Sequence, residues 1–188
     1  MQELPTEFQN KTFTTSQFLE AGFSFYHLKQ LVAKGQVEQV ARGVYLSAGL
    51  DMNEEELLRI ATLRVGKPAA ICLLSALVFH HLTDIIPKKT WIMVPQSKRT
   101  KDKKLQLYRA AYPHWNIGIE QHEGYAVTNL ERTIVECLTS RFRLGERPGI
   151  EALRAALEGK KTTPVKLTRM AEELDVLPRF LPYIKVLT

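Results

Sequence analysis

Between Thr14 and Tyr45 the chain sets two helix-start signals, two glycine stops and a glycine-centred pair of β-rich runs in close succession, and few folds accept that order. Thr14-Thr15-Ser16-Gln17 has the spacing of a capping box, with the apolar pair Phe18 and Leu19 directly behind it. The pattern predicts a short helix over Thr15–Ala21 that stops at Gly22, a residue suited to a positive-φ cap and a sharp turn. Ser24 then caps a second helix running through Phe25, Leu28, Leu31 and Val32 to Lys34, closed by Gly35. Two helices joined by so short a glycine-containing turn predict a helix-turn-helix. Gln36–Val40 and Val44–Leu46, separated by Ala41-Arg42-Gly43, read as a hairpin, so the whole module reads as a winged helix-turn-helix with Arg42 near the wing tip.

At 100° per residue the second helix gathers Leu28, Leu31 and Val32 on one side, with Phe25 flanking them, and this side is expected to be core. The other side collects Tyr26, Lys29, Gln30 and Ala33, with Lys34 at its margin. Such cationic, hydrogen-bonding and small groups can meet phosphates and base edges in a major groove. The expected DNA contacts of this module are therefore Ser24, Tyr26, Lys29, Gln30, Ala33, Lys34 and Arg42. Residues 1–50 hold four basic and four acidic side chains, so the module is neutral. A polar outer face is common to any amphipathic helix pair, and small winged modules also dock proteins.

The remainder, residues 51–188, is expected to form a second, larger α+β domain. Asn53 with Glu56 opens a helix, and the three glutamates of its first turn suit the positive end of the helix dipole. A mostly apolar helix is expected over Ile71–His81. Strand character follows at Thr90–Val94, Leu105–Arg109, Ile117–His122 and Tyr125–Val127. Thr128 with Glu131 has capping-box spacing before a helix through Ile134, Val135 and Leu138. Helices are also expected over Ile150–Leu157 and Pro164–Leu174, the latter with a core stripe of Leu167, Met170, Ala171 and Leu174. The apolar tail from Arg179 is expected to dock back on the body.

Of 188 residues, 45% are hydrophobic and 24% charged, which excludes a wholly disordered chain. The longest apolar run, Pro68–Phe79, is well short of the ~20 residues that span a bilayer. The amino terminus carries acids where a secretory signal needs basic residues, so a cytoplasmic protein is expected. Cys72 and Cys137 lie apart in apolar runs and are expected to be reduced and buried. The net charge is +6, and the segment 98–109 alone supplies six cations against the single acid Asp102. Lying between two strands, Lys98, Arg99, Lys101, Lys103 and Lys104 are expected on an exposed loop, either as a solvated surface or as a phosphate-contacting arm. Tyr108 and Tyr112 nearby suit packing as well as stacking.

No catalytic, metal or cofactor constellation emerges. His80-His81, His114 and His122 lack a shared ligand spacing with a carboxylate or cysteine, and a buried His80 donating to a backbone carbonyl is the expected arrangement. Asp84 and Glu120 faintly suggest the acid pair of a metal-dependent nuclease, but His122 stands where a lysine is wanted. Neither a phosphate-cradling glycine loop nor a nucleophile elbow is present.

Phe13-Thr14-Thr15-Ser16-Gln17 through Gly22, then Leu28, Leu31, Gly35 and Arg42-Gly43-Val44-Tyr45, resemble the amino-terminal winged helix of the AbiEi family, antitoxins of type IV toxin–antitoxin (abortive infection) systems. Leu74-Ser75-Ala76-Leu77, His80-His81-Leu82-Thr83-Asp84 with Pro87, and Val127 through Val135 are similar to that family's antitoxin domain. The resemblance implies a bacterial repressor of its own operon that binds double-stranded DNA at promoter inverted repeats. It also implies neutralisation of a nucleotidyltransferase-like toxin without a stable complex, by the part beginning near Asp51. This chain departs from the pattern in Glu136, where aspartate is expected, and in Asn129-Leu130. The Thr128–Val135 motif is expected to be structural, with Thr128 as cap and Arg132 paired to an acid or to a carbonyl of the sheet. A solitary regulator or a protein-interaction module is the alternative, and a metal-dependent nucleic-acid enzyme a remoter one.

Overall fold

The computed structural model describes residues 3–110, 114–140 and 146–187. The chain divides into two compact units, Met1–Lys67 and Pro68–Thr188, and is mixed α+β. The division falls after the first long helix, not near residue 50 as the sequence pattern predicts.

The first unit holds β1 (Thr12–Thr14), α1 (Thr15–Glu20), α2 (Phe25–Ala33), β2 (Val37–Ala41), β3 (Val44–Ser47) and α3 (Glu54–Val65). The expected hairpin is part of a three-stranded antiparallel sheet of order β1-β3-β2, in which Thr12 faces Leu46 and Val37 faces Ser47. An aromatic core fills the unit. Phe18 is fully buried, with Phe13 at 5.7 Å and Phe23 at 5.0 Å between ring centroids, and Leu28 and Leu31 seal the α2 side. The helix α3 belongs here for a specific reason. Glu56, buried, accepts a 2.9 Å hydrogen bond from Thr12 Oγ1 of β1 and pairs with Arg59 at 3.0 Å. One of the three first-turn glutamates thus ties a strand to a helix, beyond any interaction with the helix dipole.

In the second unit a five-stranded mixed sheet has the order β6-β5-β4-β8-β7, from β4 (Ala70–Ile71), β5 (Thr90–Val94), β6 (Leu105–Arg109), β7 (Ile119–His122) and β8 (Tyr125–Thr128). The pairs β5/β6 and β4/β8 are parallel, the other two antiparallel. Its helices are α4 (Leu73–Phe79), α5 (Leu130–Thr139), α6 (Glu146–Glu158), α7 (Pro164–Glu173) and α8 (Leu177–Leu187). The helix expected over Ile71–His81 is therefore a two-residue central strand followed by α4. Cys72 is extended at the N-cap and Leu73 takes φ +48°, so the chain reverses without a glycine or proline to signal it. A continuous apolar run suits a buried strand and a buried helix equally, which is why the pattern did not divide it.

The helix α5 is the hub. It packs against α4, α6, α7 and α8, and every residue from Arg132 to Thr139 is buried. Its N-cap is Asn129, whose Oδ1 accepts from Arg132 N at 2.9 Å; the expected cap Thr128 instead ends β8 and bonds Thr133 Oγ1 at 2.7 Å. Glu131 does not close a capping box but accepts from Thr162 Oγ1 at 2.7 Å. Phe180 and Ile184 of α8 are buried, so the tail does return to the core. The α5/α6 contact depends on Gly149, where a Cβ would lie 2.8 Å from Leu138 Cδ2. Overpacking at Gly149→Ala costs about 1–3 kcal/mol against the ~1 kcal/mol that alanine gains in helix propensity, so a net destabilisation of up to about 2 kcal/mol is expected. Urea denaturation of the variant checks the sign.

Candidate nucleic-acid interface

Two short helices are held in a fixed turn by their own side chains. Gln17 N donates to Thr14 Oγ1 at 3.2 Å and Thr14 N donates to Gln17 Oε1 at 2.8 Å, the reciprocal capping box that the spacing predicts. Gly22, at φ +91°, turns the chain out of α1. His27 N then donates to Ser24 Oγ at 3.1 Å, which starts α2. Ser24 is exposed, but its oxygen is engaged in capping.

The inner face of α2 is His27, Leu28 and Leu31. On the outer face, Tyr26, Lys29, Ala33 and Lys34 are exposed and Gln30 is half-buried, so these five of the expected contacts lie on the open side of α2. The core assignment of Phe25 and Val32 is corrected: they are 46% and 37% exposed. The physical reason is that His27 replaces them, its ring standing edge-on to Phe18 and Phe23 at 5.6 and 5.7 Å. Lys29 Nζ lies 5.1 Å from the centre of the Phe25 ring, a cation–π contact on the outer face. No acid occurs between Ala21 and Val37, although the surrounding module is neutral. Arg42 is exposed in the β2–β3 turn beside Gly43, which takes φ +72°.

The second set of expected contacts lies in the connection between the parallel strands β5 and β6. Lys101, Lys103 and Lys104 are exposed. Arg99 is exposed, but its guanidinium donates to the carbonyls of Gln96 and Lys98, and Lys98 is half-buried with its carbonyl accepting from Arg109 Nε at 3.3 Å. The loop is pinned at its far end, where Thr90 N donates to Lys104 O at 3.0 Å and Lys104 N to Asp102 Oδ1 at 2.9 Å. That pinning sets the exposed Lys88 and Lys89 next to Lys104 in the fold. The paired lysines just before β5 were the available signal for them.

His80 Nε2 donates to Thr128 O at 2.8 Å, the arrangement expected from the sequence. Burial lowers its pKa from 6.5, against the opposing effect of that hydrogen bond and of Glu120 and Glu131. The unfolded chain therefore binds the proton more readily, so this histidine's contribution is present above about pH 6.5 and lost as the pH falls below it. Between pH 7.5 and 5.5 the melting temperature of His80→Gln should fall less than that of the wild-type chain. Cys72 and Cys137 are buried free thiols whose pKa values burial pushes up. Asp84, Glu120 and His122 are exposed, and among the described residues no three His, Cys, Asp or Glu side chains gather as metal ligands. Tyr112 and the His114 side chain lie outside the described residues. Among the described residues, no helix is long and apolar enough to cross a membrane.

Arg132 is structural, as the sequence predicts. Fully buried, its guanidinium donates to Trp115 O at 3.0 Å, to Ile117 O, to Met93 Sδ at 2.9 Å and to Glu136 Oε1 at 3.0 Å. The Tyr108 side chain also lies close enough to act on the Glu136 carboxylate. Burial raises the Glu136 pKa, with Arg132 and Tyr108 opposing it.

Residues 2–48 match a family model described as a transcriptional regulator, AbiEi antitoxin. This agrees with the resemblance seen in the sequence and covers the helix-turn-helix and its hairpin. No curated protein matches the chain. The crystal structure of the RV2827C protein from Mycobacterium tuberculosis superposes with a TM-score of 0.57 at 15% identity, covering 93% of this chain and 75% of that one. At that identity it shows a shared fold.

Proposed function

We propose that this chain is a sequence-specific DNA-binding transcriptional regulator of the AbiEi antitoxin type, acting through a winged helix-turn-helix. The observation that carries the reading is α2: its outer face presents Tyr26, Lys29, Gln30, Ala33 and Lys34 in a stretch without acids, inside the segment that matches the regulator family. The helix enters the major groove, with Ser24 at its start, while Arg42 on the wing reaches a phosphate or the minor groove. Inverted repeats upstream of its own gene are the target, and repression of that operon is the outcome. The later residues counter a nucleotidyltransferase-like toxin without a stable complex, in defence by abortive infection.

A gel shift with the DNA upstream of its own gene, at about 50 mM salt, tests the reading. A retarded complex that survives excess unrelated duplex is expected; no shift overturns it. Lys101, Lys103 and Lys104 add sequence-independent affinity, with Lys98 and Arg99 shaping the loop that presents them. Changing those three lysines to alanine should flatten the dependence of log affinity on log salt by ~0.9 per lost phosphate contact. An unchanged slope would make the loop a solvated surface. Co-expression separates the two roles: a chain that cannot bind DNA should still protect cells from the product of an adjacent toxin gene.

A further inference from the structure

We propose that α2 selects thymine, with Phe25 and Tyr26 covering thymine 5-methyl groups in the major groove while Lys29 donates to the adjoining O4. The inference rests on the DNA-binding reading and names what the face reads.

Tyr26 is 70% exposed and Phe25 46%, at the start of the helix that would lead into the groove. Val32 lies two turns beyond Phe25 on the same stripe, and Lys29 sits between them, its ammonium 5.1 Å from the Phe25 ring centre. The stripe of the outer face formed by Phe25, Lys29 and Val32 is thus apolar with a cation in its middle. A protein partner that buries an apolar patch leaves charge at the rim, where water solvates it, so a central lysine is poorly placed for such a partner. Duplex DNA offers the opposite arrangement. In the major groove, thymine sets the apolar C5-methyl beside the O4 acceptor. An aromatic ring and an ammonium held together match that pair. Cytosine presents an amino donor and no methyl, so it would leave the ring uncovered and turn a donor toward Lys29. The lack of acids from Ala21 to Val37 fits a polyanion.

The test compares two versions of the upstream DNA fragment, one with thymine and one with deoxyuridine at every such position, which differ only in the methyl groups. Wild-type chain is expected to bind the thymine version roughly tenfold more tightly, as two covered methyls would give. Phe25→Ala and Tyr26→Ala should each bind the thymine version more weakly and show a ratio closer to one. Both residues are exposed, and unchanged melting temperatures confirm folding. Equal binding of the two DNAs by wild type overturns thymine selection and leaves DNA binding standing. A wild-type ratio that neither variant reduces also overturns it, since the methyls would be sensed elsewhere. Self-association that Phe25→Ala abolishes, with DNA affinity intact, would assign the face to a second copy instead. Absence of binding to either DNA removes the functional reading itself.

Discussion

Arg132→Leu is expected to destabilise the Pro68–Thr188 unit by about 3–5 kcal/mol, the cost of leaving a buried carboxylate without its cation. The Arg132 side chain is 1% exposed and that of Glu136 8%, so water cannot take the place of the lost partner. Four separate acceptors would go unserved: two carbonyls in the turn before β7, the Met93 sulfur on β5 and the Glu136 carboxylate on α5. The damage would therefore spread from the hub helix to the sheet. The pH dependence follows from the direction of the Glu136 shift. A carboxyl whose pKa is raised by folding contributes stability below the unfolded value of ~4.3, and that contribution is lost as the pH rises through the folded value. Removing Arg132 takes away the main influence holding the pKa down, so the variant should be worst at neutral pH and recover partly in mild acid. Urea denaturation at pH 5 and pH 8 checks both parts. A loss below about 1 kcal/mol would mean that the network is not a buried ion pair.

Lys29→Ala with Gln30→Ala should weaken binding to the upstream DNA by roughly 30- to 1,000-fold, the range for about 2–4 kcal/mol of lost base and phosphate contacts. Stability should scarcely change. Lys29 is exposed and its contact with the Phe25 ring is worth about 0.5–1 kcal/mol at an exposed site, while Gln30 lies outside the aromatic core. Affinity and stability thus separate on α2. Competitive titrations at fixed salt, paired with thermal melts, read both quantities. A double variant that binds as wild type does would remove α2 from the interface.

The capping chemistry of the first unit was open to sequence reasoning because it is local. Thr14, Gln17, Gly22, Ser24 and Gly35 act on neighbours within a few residues, so their spacing contains the geometry. What escaped depends on distant partners. The strand β1 is three residues long and exists because β3 is there to pair with it. From its spacing Glu56 is a capping-box partner and a first-turn acid suited to the helix dipole, and nothing local shows that its carboxylate also accepts from Thr12 Oγ1. On α2 the wheel placed Leu28 and Leu31 correctly but took Phe25 and Val32 for core. A histidine flanked by phenylalanines had displaced them, and polarity alone gave no warning of it. Thr128 has a good capping side chain and right spacing, but β8 extends through it, and the cap passes to Asn129. In the basic loop the charges were evident and their use was not: Arg99 serves the loop's own carbonyls, whereas Lys88 and Lys89 join from the bend just before β5.

Amide hydrogen exchange of the full chain, with and without the upstream DNA, tests the central claim most directly, because it locates contact without altering a residue. The account predicts slowed exchange over Ser24–Lys34 and around Arg42, lost when salt is raised enough to dissociate the complex. Bound DNA that leaves α2 exchanging at its free rate, with protection confined to residues beyond Lys67, would contradict it.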